Sequence, residues 1–560
     1  MAVETRERQQ SESSAAGALP AQSMTGGQAL VAALMENGID TIFALPGVQL
    51  DGAFDALYDQ TDKIRVIHPR HEQAAAYMAD GYARTTGKPG VCLVVPGPGL
   101  LNATAALSTA YACNSPVVCV TGQIQSDLIE FGRGLLHEIP NQLGMVRSVT
   151  KHAERATTPE EIPGLVDRAF TELHNGRVRP VEIEMPPDTL FATGEVSLQP
   201  AATLPERFPG DHDVIAQAAE LLAGAKKPLI WSGGGVLGAE AWDELREVAA
   251  ILQAPVVMTA NGKGAVSDRD PLAQNIVAGV ELVKDADVVF AVGTRFVDPS
   301  TAVWKLPEGR TVIQMDIDPE EIGRNFPVAI GIEADAKAGL AALAEELKRL
   351  NVSRPSRAEE LTALKERVAQ RTRAVGPQAD YAMAIREALP DDGFVLSEMT
   401  QVGYWSNMAF PVYEPRTFIT PGYQGTLGWG FPTALGVKVA HPDKPVVSIN
   451  GDGGFGFCLN ELSTMAKHRI AAIIIVFTDD AFGNVQRIQR EQFNGRTIAS
   501  DLLNPDFMKL AEAFGITGRT ATTPDELREE ITASIAADEP TLIAVPIGKV
   551  PNPWTVLGLR

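Results

Sequence analysis

The segment 446-VVSINGDGG-454 decides the reading of this chain: a short apolar run at 446–449 stops at Gly451-Asp452-Gly453. Helical patterning over 459–468 and a second apolar run at 472–477 follow, so the chain returns to the same sheet edge at Asp479. A strand ending in Gly-Asp-Gly lets backbone N–H groups approach a phosphate unobstructed, while the carboxylate projects toward a hard cation. Asp479 brings a second oxygen donor beside the first, the pattern of a magnesium ion shared between carboxylates and a diphosphate. An ordinary turn before a helix would carry the same three residues, so support must come from elsewhere in the chain.

The strand and helix alternation extends outward from this segment. Apolar runs at 393–396 and 541–545 complete a unit over residues 379–547. Runs at 228–231, 255–258, 287–292 and 311–315 define a central unit over 213–350. Those at 41–45, 65–68, 90–95, 116–121 and 181–185 define a first unit over 23–195. The fold implied is α/β, three doubly wound domains with mostly parallel sheets. The proline-rich residues 196–212 and the charged residues 351–378 read as linkers. Residues 1–22 read as a disordered tail, and 548–560 as a C-terminal tail able to fold over a pocket as a lid.

The chain has 560 residues, with 48 Lys and Arg against 70 Asp and Glu and a formal net charge of -22. Long-range attraction to nucleic acid or to an anionic membrane surface is therefore not expected, and an anionic cofactor needs local donors. The four cysteines, Cys92, Cys113, Cys119 and Cys458, lack metal-site spacing and read as buried thiols of a reducing cytoplasm. No apolar run is long enough for a membrane span, and residues 1–22 lack the apolar core of a signal peptide.

The remaining polar motifs of the first unit fall at the carboxyl ends of strands, where open α/β sheets bind ligands. His71-Glu72-Gln73 opens a helix after 65–68, Gly97-Pro98-Gly99 opens another that carries Asn102, and Thr121-Gly122-Gln123 ends the next strand. Taken alone, Glu72 would do no more than complement a helix dipole. In order, HEQ, GPG, TGQ, 425-GTLGWG-430 and GDG with Asp479 resemble the thiamine diphosphate (ThDP) enzymes of the acetolactate synthase, 2-oxo-acid decarboxylase and 2-hydroxyacyl-CoA lyase group, over residues 24–547.

The resemblance implies pyrimidine-binding, central and diphosphate-binding domains, with ThDP and Mg2+ held between two subunits of a homodimer or homotetramer. It assigns Glu72 the hydrogen bond to N1′ of the aminopyrimidine, and gives Gly97, Asn102 and Gln123 further cofactor contacts. Leu427, in the turn that starts at Gly425, would prop the cofactor in its bent form; plain core packing is the alternative, and both expect a buried side chain. Gly451, Asp452, Gly453, Asp479 and Gln401 fall on the diphosphate, and Asp452, Asp479 and a carbonyl of Ala481 on the metal. Three departures stand out. Thr478-Asp479 replaces the usual Asn-Asn, Val402 replaces a His beside Gln401, and Ile488 replaces a Trp that in acetolactate synthases selects the second 2-oxo acid. His137 and Glu491 are candidates for proton transfer at the pocket mouth, against the plainer readings of a solvated loop His and a surface charge. Gly233-Gly234-Gly235 in the central unit is too little to imply a flavin.

The function expected is making or breaking a C–C bond beside a carbonyl, in acetolactate synthase-like decarboxylation and carboligation of 2-oxo acids. Cleavage of a 2-hydroxyacyl-CoA to formyl-CoA and an aldehyde or ketone is one alternative, and a non-catalytic homologue another. The expected substrate is a small 2-oxo acid or an acyl-CoA.

Overall fold

The computed structural model describes residues 20–296, 306 and 308–557, so most of the tail read at 1–22, and residues 558–560 at the other end, lie outside the described residues. The chain divides into two compact units after Pro205.

The first unit contains β1 (Gln22–Thr25), β2 (Thr41–Ala44), β3 (Arg65–Ile67), β4 (Gly90–Val94), β5 (Val117–Gly122), β6 (His152–Arg155), β7 (Val181–Met185) and β8 (Thr193–Val196). Six of these form one sheet in the order β3-β2-β4-β5-β7-β6, parallel at every pairing. Helices cover both faces, so β4 and β5 are wholly buried and read as continuous apolar runs rather than alternating ones. The core gathers Leu30, Ile42, Val118, Leu165 and Ile183. β1 pairs antiparallel with β8. Gln22, read as tail, therefore opens a strand, and Val196, read as linker, closes one.

The second unit holds two sheets. β9 (Pro228–Ser232), β10 (Val256–Met258), β11 (Ala273–Gln274), β12 (Val288–Val292), β13 (Thr311–Asp316) and β14 (Ile330–Glu333) lie in the order β11-β10-β9-β12-β13-β14. β15 (Phe394–Ser397), β16 (Phe418–Ile419), β17 (Val446–Gly451), β18 (Ile473–Thr478), β19 (Thr517–Thr520) and β20 (Thr541–Pro546) lie in the order β16-β15-β17-β18-β20-β19. Every pairing in both sheets is parallel. The α/β architecture with three parallel sheets is thus the one expected.

The segment read as a linker at 351–378 is largely the helix Ala358–Arg373, whose Leu361, Leu364 and Val368 enter a core that also takes Trp231 and Val289 from one sheet and Val395 and Val447 from the other. Trp405 donates from Nε1 to the Thr372 carbonyl at 2.9 Å and fixes the helix end. The charges that suggested a linker line the outer face of an amphipathic helix. Gly233 and Gly235 let two loops meet: a Cβ at Gly235 would lie 2.7 Å from Gly293 Cα, and Gly235 N–H donates to the Gly293 carbonyl. The tail read as a possible lid turns back on its own unit. Trp554, in the helix Pro553–Val556, lies 4.8 Å from the Tyr404 ring, and Gln378 Nε2 donates to the Pro551 carbonyl at 2.7 Å. Cys92, Cys119 and Cys458 are buried and Cys113 half-buried, all as free thiols. Among the described residues no helix is long and apolar enough to cross a membrane.

Candidate active site

Parallel pairing of β15, β17, β18 and β20 delivers their carboxyl ends to one edge, and Gly451 lies in register with Phe477. Asp452 is the first residue of a one-turn helix, Asp452–Phe455, and is 4% exposed. Its Oδ1 accepts from Gly453 N–H at 2.8 Å; its Oδ2 accepts from Asp479 N–H at 3.2 Å, Asp480 N–H at 2.9 Å and Asn504 Nδ2 at 2.7 Å. Burial nonetheless raises this carboxyl above its ordinary value, against the pull of those donors. Asp479 is pushed up to about 6 by burial and then by the Asp452 charge, with the Ala481 N–H acting the other way. The two carboxylates therefore share one poorly solvated place. Glycine is required around them: a Cβ at Gly453 would lie 2.8 Å from the Phe482 ring, and one at Gly483 2.2 Å from Asp479 Oδ2. Ala481 is buried and bridged antiparallel to Asp501, with Phe482 N–H bonded to Ser500 and Leu502 N–H to Asp480.

Glu398, one residue beyond β15, was not singled out in the sequence. It is 1% exposed, and burial pushes its carboxyl to about 7. Its Oε1 accepts from Gly428 N–H at 2.6 Å and would lie 2.2 Å from a Cβ at Gly454. One side chain thus ties the 425–430 turn to the helix at Asp452. Gly425 and Gly428 both take left-handed backbone, φ 57 and 77, which a larger residue would strain. Leu427 between them is half-buried, so the full burial expected of it is not met within the unit. Gln401 opens the helix Gln401–Ala409 and is 8% exposed, with Oε1 unbonded; Val402 sits in the core. Glu491 is not a free acid: it accepts from Arg487 Nη1 at 2.6 Å within the helix Gly483–Gln492. Ile488 on the same helix is half-buried.

In the first unit, Glu72 opens the helix Glu72–Thr86 behind the N-cap His71, and Gly97 caps the helix Pro98–Cys113 with φ 56. The two helices pack so that Asn102 Nδ2 donates to Glu72 Oε2 at 3.0 Å, and Gly99 leaves space above Glu72 Oε1. A Cβ at Gly97 would lie 2.2 Å from the His137 carbonyl, so the structure brings His137 to this turn. His137 has φ 69, and its Nδ1 bonds Gln49 Oε1 at 3.0 Å. Gln142 accepts from Gly97 N–H at 2.9 Å and donates to Gly122 and Glu184, locking the two turns together. Gln123 is 4% exposed and is engaged inside the unit, accepting from Ile124 N–H and donating to Glu184 Oε1. Gln49, Gln142, Asn504 and Glu398 were all missed. Only Glu398, an acid at a strand end, left a local signal.

Three family models match the chain. They are the thiamine pyrophosphate enzyme N-terminal TPP binding domain over residues 24–145, central domain over 215–343 and C-terminal TPP binding domain over 398–545. A probable acetolactate synthase large subunit of Methanocaldococcus jannaschii is 36% identical, covering 94% of this chain and 92% of its own. A probable 2-ketoarginine decarboxylase of Pseudomonas aeruginosa is 34% identical, covering 94% of each chain. The acetolactate synthase isozyme 2 large subunit of Escherichia coli K12 is also 34% identical, over 95% of this chain and 97% of its own. Likeness that runs through all three domains at this level makes the chain a member of the thiamine pyrophosphate enzyme family.

Proposed function

We propose that this chain is a ThDP- and Mg2+-dependent enzyme that decarboxylates a 2-oxo acid and passes the remaining acyl unit to a second carbonyl, in a site shared by two copies of the chain. The observation that carries the reading is the pairing of Asp452 and Asp479 at neighbouring strand ends, both raised by burial. Two such carboxylates suit a hard cation that shares its remaining positions with phosphate oxygens. Asp452, Asp479 and the Ala481 carbonyl would hold the metal; Gly451, Gly453 and Gln401 would meet the diphosphate; Gly425 and Leu427 would shape the prop for the cofactor. When bound, ThDP supplies the nucleophilic carbon and the electron sink for loss of CO2. Glu72 would hydrogen-bond N1′ of the aminopyrimidine, with Asn102 orienting that carboxylate. Gly97 and Gln123 set the turns around it. His137, held by Gln49, would move protons at the substrate, while Glu491 positions Arg487.

The relatives named as acetolactate synthase large subunits support carboligation. Ile488, at the position where the resemblance implies a Trp for acetolactate synthases, together with the relative named as a 2-ketoarginine decarboxylase, favours a second reading: simple decarboxylation of a longer 2-oxo acid. A product screen of the full chain with ThDP and Mg2+ separates these. Pyruvate giving CO2 with acetolactate or acetoin supports the first reading, and an aldehyde from a longer 2-oxo acid the second. Formyl-CoA from 2-hydroxyisobutyryl-CoA, with no reaction of any 2-oxo acid, would contradict both.

A further inference from the structure

The second unit holds a small polar cavity lined by the Asp479 carboxylate together with Gln401, Gly483, Gln486, Arg487, Arg490 and Lys549. Two of these side chains are nine-tenths buried yet carry an unbonded polar atom, Gln401 Oε1 and Arg487 Nε. Arg487 is held rigidly, since Nη1 donates to Glu491 at 2.6 Å and Nη2 to Asn484 Oδ1 at 2.8 Å, which leaves Nε for a ligand. Rotation of the Gln401 amide can present NH2 in place of oxygen. Gly483 opens a ten-residue helix, whose first N–H groups have no partner inside the helix. Three cations, the amides of Gln401 and Gln486 and a helix start stand around one space, against the carboxylate of Asp479 in the lining and that of Glu491 on Arg487, and the cationic excess suits an anion.

The charge balance says which anion. A dipositive ion set against two carboxylates and a diphosphate leaves a negative excess, of which Asp479 supplies one charge. Val402, beside Gln401, offers no side-chain donor against it. Cations must enter from elsewhere. We propose that this cavity is the cationic wall of the diphosphate site, with Arg487 donating from Nε to a phosphoryl oxygen and Arg490 and Lys549 offsetting the charge that the phosphates and Asp479 bring together. The proposal rests on the ThDP reading above.

The test is calorimetric titration of cofactor-free full-length protein with ThDP, thiamine and inorganic diphosphate at fixed Mg2+. Wild type is compared with Arg487→Met, Arg490→Met and Lys549→Met. Loss of a charge-assisted bond should weaken ThDP and diphosphate binding about tenfold or more in Arg487→Met and severalfold in the other two, with a shallower salt dependence. Thiamine, which lacks phosphates, should bind all four proteins alike. Arg487 also braces Asn484 and Glu491, so Arg490→Met and Lys549→Met decide the matter should the first variant misfold. Unchanged ThDP and diphosphate affinity in those two overturns the proposal while wild-type ThDP binding, and the functional reading with it, stands. Wild type that binds no ThDP overturns both. One equivalent of diphosphate taken up by ThDP-loaded protein, and lost in Lys549→Met, would reveal an anion site separate from the cofactor and overturn the assignment.

Discussion

Burial moves the Glu398 carboxyl from its ordinary 4.5 to about 7, so the folded chain binds this proton more tightly than the unfolded chain does. Stability is then lost as pH rises from the unfolded value through the folded one, by about 3 kcal/mol in all. In cofactor-free Glu398→Gln, urea midpoints should decline less between pH 5 and 8 than those of wild type, the remaining fall up to about pH 6 coming from Asp479; parallel declines would contradict this. Glu72→Gln should keep ThDP affinity yet lose turnover about 100-fold or more, as expected when a positioned acid-base group is removed, and an unchanged rate would refute its role. Glu72, Asp452 and Asp479 were legible in the sequence because each stands in a glycine turn or helix start at a strand end. Asn504 was not: it grips Asp452 from 52 residues away, a distance that only the fold closes. Arg487 was not singled out either, since its burial comes from the packing of the fold.

Among the elements, the turns around the site are closed to side chains in a way that can be measured. Ala at Gly454 would put a methyl carbon 2.2 Å from Glu398 Oε1, and should cost about 1–3 kcal/mol as overpacking does. Ala at Gly224, where nothing lies within 4 Å, should leave stability unchanged or raise it by about 0.4–1 kcal/mol. Thermal denaturation of the two variants checks the contrast, and equal shifts would mean that the 452–455 turn tolerates a Cβ. Central strands such as β5 and β18 were readable from sequence because both faces are buried and the apolar run is continuous. The edge strands β6, β11, β14, β16 and β19 were not. HAER in β6 and TGRT in β19 are short and polar, since an edge needs cover on fewer sides. The extent of the helix Ala358–Arg373 was not readable for a related reason: its charged outer face outweighs the three apolar residues that anchor it.

Across the whole molecule, large apolar side chains stand exposed on the loops that carry site residues: Leu503 at 100%, Tyr423 at 64% and Phe457 at 55%. Such exposure suits a face covered by a second copy. Light scattering should therefore find a dimer or larger species, and Leu503→Asp should weaken association and turnover together; a fully active monomer would contradict a shared site. Domain order and cofactor class were legible because motifs weak by themselves recur at strand ends in a fixed order. The substrate was not, because no backbone constraint dictates the side chains at partly exposed positions such as Ile488. The most direct measurement is ThDP affinity of wild type and Asp479→Ala across a range of Mg2+ concentrations. Binding that strengthens with Mg2+ in wild type and loses that dependence in the variant is the expected result. Equal and metal-independent binding in both would contradict the assignment of Asp452 and Asp479 as the ligands of a Mg2+-diphosphate site.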